Sequence, residues 1–234
     1  MNRVLDVATS ISASLPRLFT GYAVGNLGKR PEKTLELYEF ESCPYCRKVR
    51  EALSILDLDA VIYPCPKRGP RFRAEVVRRG GKAQFPYLVD PNTGKERYES
   101  DDIVHYLFET YGDGRVPLAL SAGVLTDLTA GLASALRPTR GTYYEASTPP
   151  EKSLELYSFE PSPFSRIVRE VLCTLELPYL LHNVAKGSPR REDFVARSGK
   201  MMVPYLIDPN TSTEMFESAD IETYLRQTYG RDGG

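Results

Sequence analysis

Hydrophobic and polar positions follow one order twice along the chain, and the first copy already indicates a fold. Residues 35–40 have a strand pattern, after which Val49, Leu53 and Leu56 recur at the spacing of one buried helix face. The predicted elements are strand 35–40, a helix from residue 43, strand 60–63, helix 72–79, strand 87–89, a turn at 91–94, strand 97–99 and a helix that Ser100 caps and Gly112 ends. This β-α-β-α-β-β-α order predicts an α/β unit.

The second copy repeats this pattern closely. The segment LELYEFE at 35–41 recurs as LELYSFE at 154–160, and PYLVDPNT at 86–93 recurs as PYLIDPNT at 204–211. Self-similarity at a fixed period of about 119 residues indicates a tandem duplication of one structural unit.

Domain boundaries follow from the repeat. Helix-and-loop patterns at 5–22 and 125–143 resemble each other, so each repeat is expected to begin with its own helix. The predicted segments are an N-terminal helix and loop at 1–33 that belong to the first repeat, a first domain at 34–113, a connector helix and loop at 114–152 that belong to the second repeat, and a second domain at 153–234.

Composition narrows the classes of function. The chain has 234 residues, 41% of them hydrophobic, and a net charge of −1. This balance gives no general attraction to nucleic acid or to an anionic membrane, and no apolar stretch approaches the roughly 20 residues that span a bilayer. The basic run at 68–82 is interpreted either as a solvated helix face or as a collar for a small anionic ligand. Both a monomer and a homodimer fit the sequence.

The cysteines carry the chemistry of the first copy. Four cysteines are too few for a disulfide framework in this chain, which favours a reducing cytoplasm. Cys43 of the motif Cys43-Pro44-Tyr45-Cys46 follows a strand at the start of a helix, where N–H groups and the helix dipole stabilise a thiolate. Cys46 lies one turn further on the same side and is placed to resolve a mixed disulfide on Cys43.

The cysteine pattern also allows other interpretations. A C-x-x-C pair is also typical of one half of a zinc site, but Cys65 and Cys173 have no partners at zinc spacing, so no metal is expected. Simple burial of the pair is a further alternative. Cys173 shares a helix face with aliphatic residues and is expected in the core, whereas Cys65 is either buried or a third redox thiol.

Three features together resemble a glutaredoxin or the N-terminal thioredoxin-fold domain of glutathione transferases. They are the Cys-Pro-Tyr-Cys-Arg segment, Phe85-Pro86 before an apolar strand, and Glu99-Ser100 at the start of the last helix. The resemblance implies two tandem thioredoxin-like domains, each a four-stranded mixed sheet flanked by helices. It also implies a cis bond before Pro86.

The same resemblance implies a binding site for glutathione in the first copy. The backbone of Phe85, beside Pro86, is expected to pair with the cysteinyl part of glutathione, while Glu99 and Ser100 hold its γ-glutamyl end. Tyr45 and Arg47 of the cysteine motif complete the expected set of contacts.

The second copy replaces sulfur by oxygen. Its motif reads Ser162-Pro163-Phe164-Ser165-Arg166, so Ser162 and Ser165 cannot exchange disulfides. It resembles the serine-type motif of plant-style glutathione transferases, in which such a hydroxyl bonds the glutathione sulfur. The remaining positions of this second expected site are Val203, Pro204, Glu217 and Ser218. The resemblance implies a long helical domain after the thioredoxin fold to form the electrophile pocket, and the lack of such a segment after the repeat counts against transferase activity. Transferase activity at Ser162, silent glutathione binding and a packing role are the three alternatives.

The expected function is a glutathione-dependent thiol–disulfide oxidoreductase that acts through Cys43, with glutathione as co-substrate and glutathionylated proteins as partners. Two alternatives are kept. One is a transferase-like enzyme that uses Ser162 on small electrophiles, and the other is a non-enzymatic module that holds glutathione or a glutathione-ligated [2Fe–2S] cluster through Cys43.

Overall fold

The two repeats fold alike in a computed structural model of the protein, which describes residues 3–12, 17, 19–25, 27–121 and 139–231. The elements up to the connector are α1 (Arg3–Ser12), β1 (Leu35–Glu39), α2 (Pro44–Ile55), β2 (Ala60–Pro64), α3 (Phe72–Gly80), β3 (Tyr87–Asp90), β4 (Lys95–Arg97), α4 (Ser100–Tyr111) and α5 (Leu118–Ser121). The later elements are β5 (Leu154–Ser158), α6 (Pro163–Thr174), β6 (Tyr179–Asn183), α7 (Arg191–Ser198), β7 (Tyr205–Asp208), β8 (Thr213–Phe216) and α8 (Ser218–Tyr229). The α/β class and the thioredoxin-like element order are confirmed.

Two details at the end of the first repeat differ from the prediction. The short strand is Lys95–Arg97 and not 97–99, because Glu99 has a φ of 63° and leaves the extended conformation. Glu99, and not Ser100, is the residue that precedes the helix, and its side chain makes no capping hydrogen bond. Ser100 is instead the first helical residue and is buried.

The strands form one continuous sheet in the order β4-β3-β1-β2-β6-β5-β7-β8. Each repeat supplies a four-stranded mixed half, in which one pair of strands is parallel and two pairs are antiparallel. The halves join where β2 and β6 pair antiparallel, with Val61 opposite Leu180. These two residues hold the same position in the two repeats, so a pseudo-twofold axis passes between them.

The core is shared by both repeats. Buried residues of β1, α2 and α4 pack with their counterparts from β5, α6 and α8 in one cluster, which includes Leu37, Leu53, Leu156 and Leu172. A smaller cluster lies on the opposite face of each half-sheet, under α3 and α7, around Val76 and Phe194 respectively. Burial of apolar surface on both sheet faces therefore stabilises the two repeats as one body.

The segment that precedes each domain packs against the other repeat. Helix α1 precedes the first repeat in sequence but packs on α6 of the second, and Ser10 donates a 2.7 Å hydrogen bond to the carbonyl of Pro163. The loop that follows α1 pairs with Lys186 of the second repeat, and the loop before β5 pairs with Lys67 of the first. Most of the helix expected at 125–143 lies outside the described residues.

Charged residues are buried where the repeats meet. Arg50 of α2 bonds Glu160 of the second repeat at 2.9 Å, and Arg169 of α6 bonds Glu41 of the first at 3.0 Å. Arg50 also bonds Glu39 at the end of β1. These five residues, called here the charge cluster, are almost completely excluded from solvent. Among the helices described, none is both long and apolar enough to cross a lipid bilayer.

Candidate functional site

Cys43 occupies the N-cap position of α2. Its backbone is extended, with φ −75° and ψ 121°, and Pro44 begins the helix behind it. Proline suits this first helical position because it has no N–H to leave unbonded. The Cys43 sulfur accepts a 3.3 Å hydrogen bond from the N–H of Cys46, as a capping side chain does.

The pKa values of the two thiols of the motif are shifted in opposite directions. A hydrogen bond from the Cys46 side chain lowers the pKa of Cys43, and backbone N–H bonds add to this effect against the opposing influence of burial. Burial raises the pKa of Cys46, and the charge of Cys43 raises it further. Of the two thiols, Cys43 is therefore the one that ionises more readily, and Cys46 holds its proton more tightly.

Access to this pair is narrow. Cys43 is 4% exposed and Cys46 is fully buried, whereas the ring of Tyr45 between them is 49% exposed. A disulfide can therefore react with Cys43 only if the groups around the sulfur move aside or if the part of the substrate that reaches the sulfur is narrow.

The loop before β3 borders the cysteine turn. The Phe85–Pro86 bond is cis, as the resemblance implies. The ring of Phe85 meets that of Phe40 edge to face at 6.2 Å, and the Phe40 carbonyl accepts a 3.0 Å hydrogen bond from Cys43. The guanidinium carbon of Arg73 lies 4.7 Å from the centroid of the Phe85 ring, which places a positive charge next to this loop.

Glu99 and Ser100 form the start of α4 on the same repeat. The exposed Glu99 side chain is held by Gln84 and lies 3.9 Å from Lys82. Asp101, one residue after Ser100, bonds the Lys48 ammonium of α2 at 2.7 Å. This ion pair ties the beginning of α4 to the second turn of the cysteine helix.

Arg47 is placed differently from the other expected contacts. Its guanidinium is buried, bonds Glu51 at 3.1 Å and lies 3.9 Å from Glu160 of the second repeat. The side chain therefore points into the region between the repeats and away from the exposed ring of Tyr45.

The serine motif of the second repeat has the same N-cap geometry as the cysteine motif, with hydroxyl groups in place of thiols. Ser162 caps α6 with φ −62° and ψ 116°, and its hydroxyl accepts hydrogen bonds from the N–H and the hydroxyl of Ser165, at 3.3 and 2.9 Å. A hydroxyl has two lone pairs and one proton, so the Ser162 proton remains to be donated elsewhere. The hydrogen bond from Ser10 to the carbonyl of Pro163 brings α1 to this end of the helix.

The other expected residues of the second site mirror the first. The Val203–Pro204 bond is cis, Glu217 has a φ of 65°, and Ser218 is buried as the first residue of α8. The two sites thus have similar backbone geometry, and their main difference is that the first has cysteine thiols where the second has serine hydroxyls.

The two repeats also differ in a buried residue that was not predicted from the sequence. Glu39, four residues before Cys43, is 1% exposed and belongs to the charge cluster, while the second repeat has Ser158 in its place. The signal was present in the contrast between LELYEFE and LELYSFE, but a charged residue in a strand gives no indication of burial on its own.

The remaining sulfurs are enclosed. Cys65 and Cys173 are buried, and burial raises the pKa of each thiol. Within the described part of the chain, no group of three or more His, Cys, Asp and Glu side chains is arranged to hold a metal ion.

Comparison with known proteins shows which family the chain belongs to. The family model described as "Glutathione S-transferase, N-terminal domain" matches residues 37–115 and again residues 156–233. The chain belongs to this family. It contains the glutathione S-transferase N-terminal domain twice, in the two segments that the internal repeat defines.

Solved structures of glutathione transferases also match. A glutathione transferase of Bombyx mori is 26% identical over 36% of this chain and 38% of its own length, with a TM-score of 0.33. A trimeric glutathione transferase of Leishmania is 14% identical over 86% of this chain and 68% of its own, with a TM-score of 0.29. A search of curated proteins found no match.

Proposed function

We propose that the protein is a glutathione-dependent thiol–disulfide oxidoreductase that acts through Cys43. The observation that carries the proposal is the division of roles in one buried pair: the pKa of Cys43 is lowered while that of Cys46 is raised. A thiolate nucleophile beside a protonated thiol is what disulfide exchange requires.

The reaction proceeds by two exchanges. The Cys43 thiolate attacks the glutathione sulfur of a mixed disulfide, forms Cys43–S–S–glutathione and expels the other thiol as a thiolate. A second glutathione then attacks the glutathione sulfur of this intermediate, which forms glutathione disulfide and releases Cys43 as a thiolate. Alternatively, Cys46 loses its proton and attacks the Cys43 sulfur, which releases glutathione and forms a Cys43–Cys46 disulfide that two further glutathione molecules reduce. Each exchange breaks one S–S bond and forms another, so no external oxidant is needed.

Glutathione is the co-substrate that the family favours. Phe85 and Pro86 would pair with its backbone, while Ser100 and the first N–H groups of α4 would receive its γ-glutamyl carboxylate beside Glu99. The narrow access to Cys43 favours small glutathione disulfides over folded protein substrates, and glutathionylated proteins would react through an exposed, flexible modified segment. A reducing compartment such as the cytoplasm would keep the pair active.

The serine motif provides an internal control for the experiment. Reduction of a glutathione mixed disulfide of a small thiol, coupled to glutathione reductase, should be lost in Cys43→Ser. It should persist in Cys46→Ser, where a second glutathione completes the cycle. Grafting Ser162→Cys and Ser165→Cys into the Cys43→Ser protein should restore part of the activity. Full activity in Cys43→Ser would overturn the proposal.

A second candidate, a glutathione transferase reaction at Ser162, is favoured by one observation. The Ser162 hydroxyl accepts both hydrogen bonds from Ser165, which leaves its proton for a glutathione thiolate. Conjugation of glutathione to a small aromatic electrophile would then fall in Ser162→Ala and persist in Cys43→Ser. Conjugation that persists in Ser162→Ala and falls in Cys43→Ser would reject this candidate.

A glutathione-ligated [2Fe–2S] module would be distinguished by its colour. Purified protein that is brown, with visible absorbance that Cys43→Ser abolishes, would support this alternative.

A further inference from the structure

A cavity of about 220 Å³ lies under α7 in the second repeat, on the sheet face opposite the shared core. Three rings and three charged side chains line it, from Tyr157, His182, Phe194, Arg190, Asp193 and Arg197. A cavity of roughly 150 Å³ is sufficient to hold benzene. The space under α7 is therefore large enough for one aromatic ring or for two fused rings.

The first repeat fills the corresponding space with a ring of its own. Phe72, the first residue of α3, packs against the cluster under that helix, and its ring centroid lies 5.1 Å from that of Tyr63. In the second repeat His182 holds the strand position of Tyr63, and the first residue of α7 is Arg191. The guanidinium of Arg191 donates a 3.1 Å hydrogen bond to the carbonyl of Val184. Because this side chain bonds the backbone, the space that the Phe72 ring fills in the first repeat stays open in the second.

The three rings that line the cavity are stacked on one another. The centroid of the Tyr157 ring lies 4.4 Å from that of His182 and 4.6 Å from that of Phe194. The interplanar angles are 24° and 17°, so the rings are close to parallel. Aromatic pairs attract each other beyond the apolar area that they bury. A further ring in the cavity can therefore contact this stack as the Phe72 ring contacts its neighbour in the first repeat.

The charged groups at the cavity favour an uncharged ring. Arg190 and His182 both bond the carboxylate of Asp59, and Arg197 bonds a carboxylate of β8 at 2.7 Å. Each basic side chain thus has an acidic partner, and Asp193 adds a negative charge that disfavours an anion. The two guanidinium groups disfavour a cation, yet a guanidinium is attracted to the face of an electron-rich ring.

We propose that the cavity under α7 binds an uncharged, electron-rich aromatic ring system of the size of an indole. The ligand takes the place that the Phe72 ring has in the first repeat and packs against the stack that contains His182. Two residues that line the cavity bond Asp59 of the first repeat, so binding stabilises the joint between the repeats. The site is independent of the thiol chemistry at Cys43.

Calorimetric titration of the full-length protein with indole tests the proposal. Binding should be saturable with one indole per chain, and indole should raise the midpoint of thermal unfolding because it binds the folded state. Indole-3-acetate is anionic and tryptamine is cationic. Each should bind about tenfold or more weakly than indole, because the cavity has no partner for an added charge. A lack of saturable indole binding, or equal affinity for the three compounds, would overturn the proposal.

Exchange of the residues that differ between the repeats locates the site. Arg191→Phe gives the second repeat the ring of the first and should weaken indole binding by about tenfold or more, because the new side chain fills the cavity. Arg78→Phe adds a ring at a largely exposed position of α3 and should leave the affinity unchanged. Equal affinity in Arg191→Phe and the parent would overturn the proposal.

The reverse change opens the corresponding space in the first repeat. Phe72→Ala removes the ring and leaves a cavity, so this variant should bind a second indole per chain. The measurement does not depend on how well Arg191→Phe folds. A stoichiometry that stays at one indole per chain in Phe72→Ala would contradict the correspondence between the cavity and the Phe72 ring.

Discussion

Arg50 and Glu160 form a 2.9 Å ion pair that joins the first repeat to the second, with both side chains almost fully buried. Glu160 also lies 3.0 Å from Arg169, so one carboxylate neutralises two guanidinium groups. The pKa of Glu160 is lowered to about 2 despite burial, because the surrounding arginines stabilise its charge. The contact between the repeats thus depends on buried charge as well as on apolar packing.

Removal of this carboxylate should destabilise the whole protein. Glu160→Ala leaves two buried cations without a shared partner, and breaking a buried pair on one side costs about 3–5 kcal/mol in the free energy of unfolding. Urea denaturation monitored by tyrosine fluorescence measures the change. The control is Glu145→Ala, whose partner Arg226 lies at 2.7 Å in a largely exposed pair. That variant should lose less than about 1 kcal/mol, and equal losses in the two variants would contradict the prediction.

Glu39 should make stability fall as pH rises. Its pKa is raised from 4.5 to about 7, so the folded state holds the proton more tightly than the unfolded state. The resulting stabilisation is present below pH 4.5 and declines as pH rises toward 7, by about 1.4 kcal/mol per unit of pKa difference at most. Glu39→Gln lacks this titration. Its free energy of unfolding, minus that of the parent, should therefore increase between pH 4.5 and 7, and a constant difference would contradict the assignment.

The acidity of Cys43 should depend on the side chain of Cys46. The first cause of its lowered pKa is the hydrogen bond from that side chain, so Cys46→Ala should raise the pH midpoint of Cys43 alkylation by iodoacetamide. Cys46→Ser keeps a donor and should shift the midpoint less. Mass spectrometry of the modified peptide separates Cys43 from the buried Cys65 and Cys173. Identical midpoints in the alanine and serine variants would show that backbone bonds alone set the acidity.

Two symmetry-related arginines should contribute equally to the joint between the repeats. Arg71 donates to the carbonyls of Leu175 and Glu176 at 3.0 Å each, and Arg190 donates to the carbonyl of Asp57 at 3.0 Å. A lysine cannot present several N–H groups in one plane, so Arg71→Lys and Arg190→Lys should each lose about 1–3 kcal/mol. Thermal unfolding measures both, and exposed Arg78→Lys should leave the midpoint unchanged. A loss in only one of the pair would contradict the symmetric role.

The elements and the cysteine turn could be predicted because their signals are local. The alternation of 35–40, the spacing of Val49 and Leu53, and Pro44 after Cys43 each act within a few residues. The family resemblance then anticipated the cis bond before Pro86, and the structure has that bond.

The joint between the repeats could not be predicted, because it depends on pairs distant in sequence. Strand patterns show that β2 and β6 are strands but not that Val61 meets Leu180. Likewise, Arg47 was expected to contact glutathione, and its burial depends on Glu51 and on the distant Glu160. The start of α4 was missed by one residue because the left-handed backbone of Glu99 has no strong sequence signal.

The pairing of β2 with β6 has a consequence for how folding depends on concentration. In an association between separate copies, such a joint would dissociate on dilution, and its stability would follow mass action. Here both partners lie on one chain, so each strand meets the other at an effective concentration set by the connecting segment. The remaining sheet margins are the short β4 and β8, the first of which carries the charged sequence KER and resists further strand addition. Dilution should therefore leave the midpoint of unfolding unchanged.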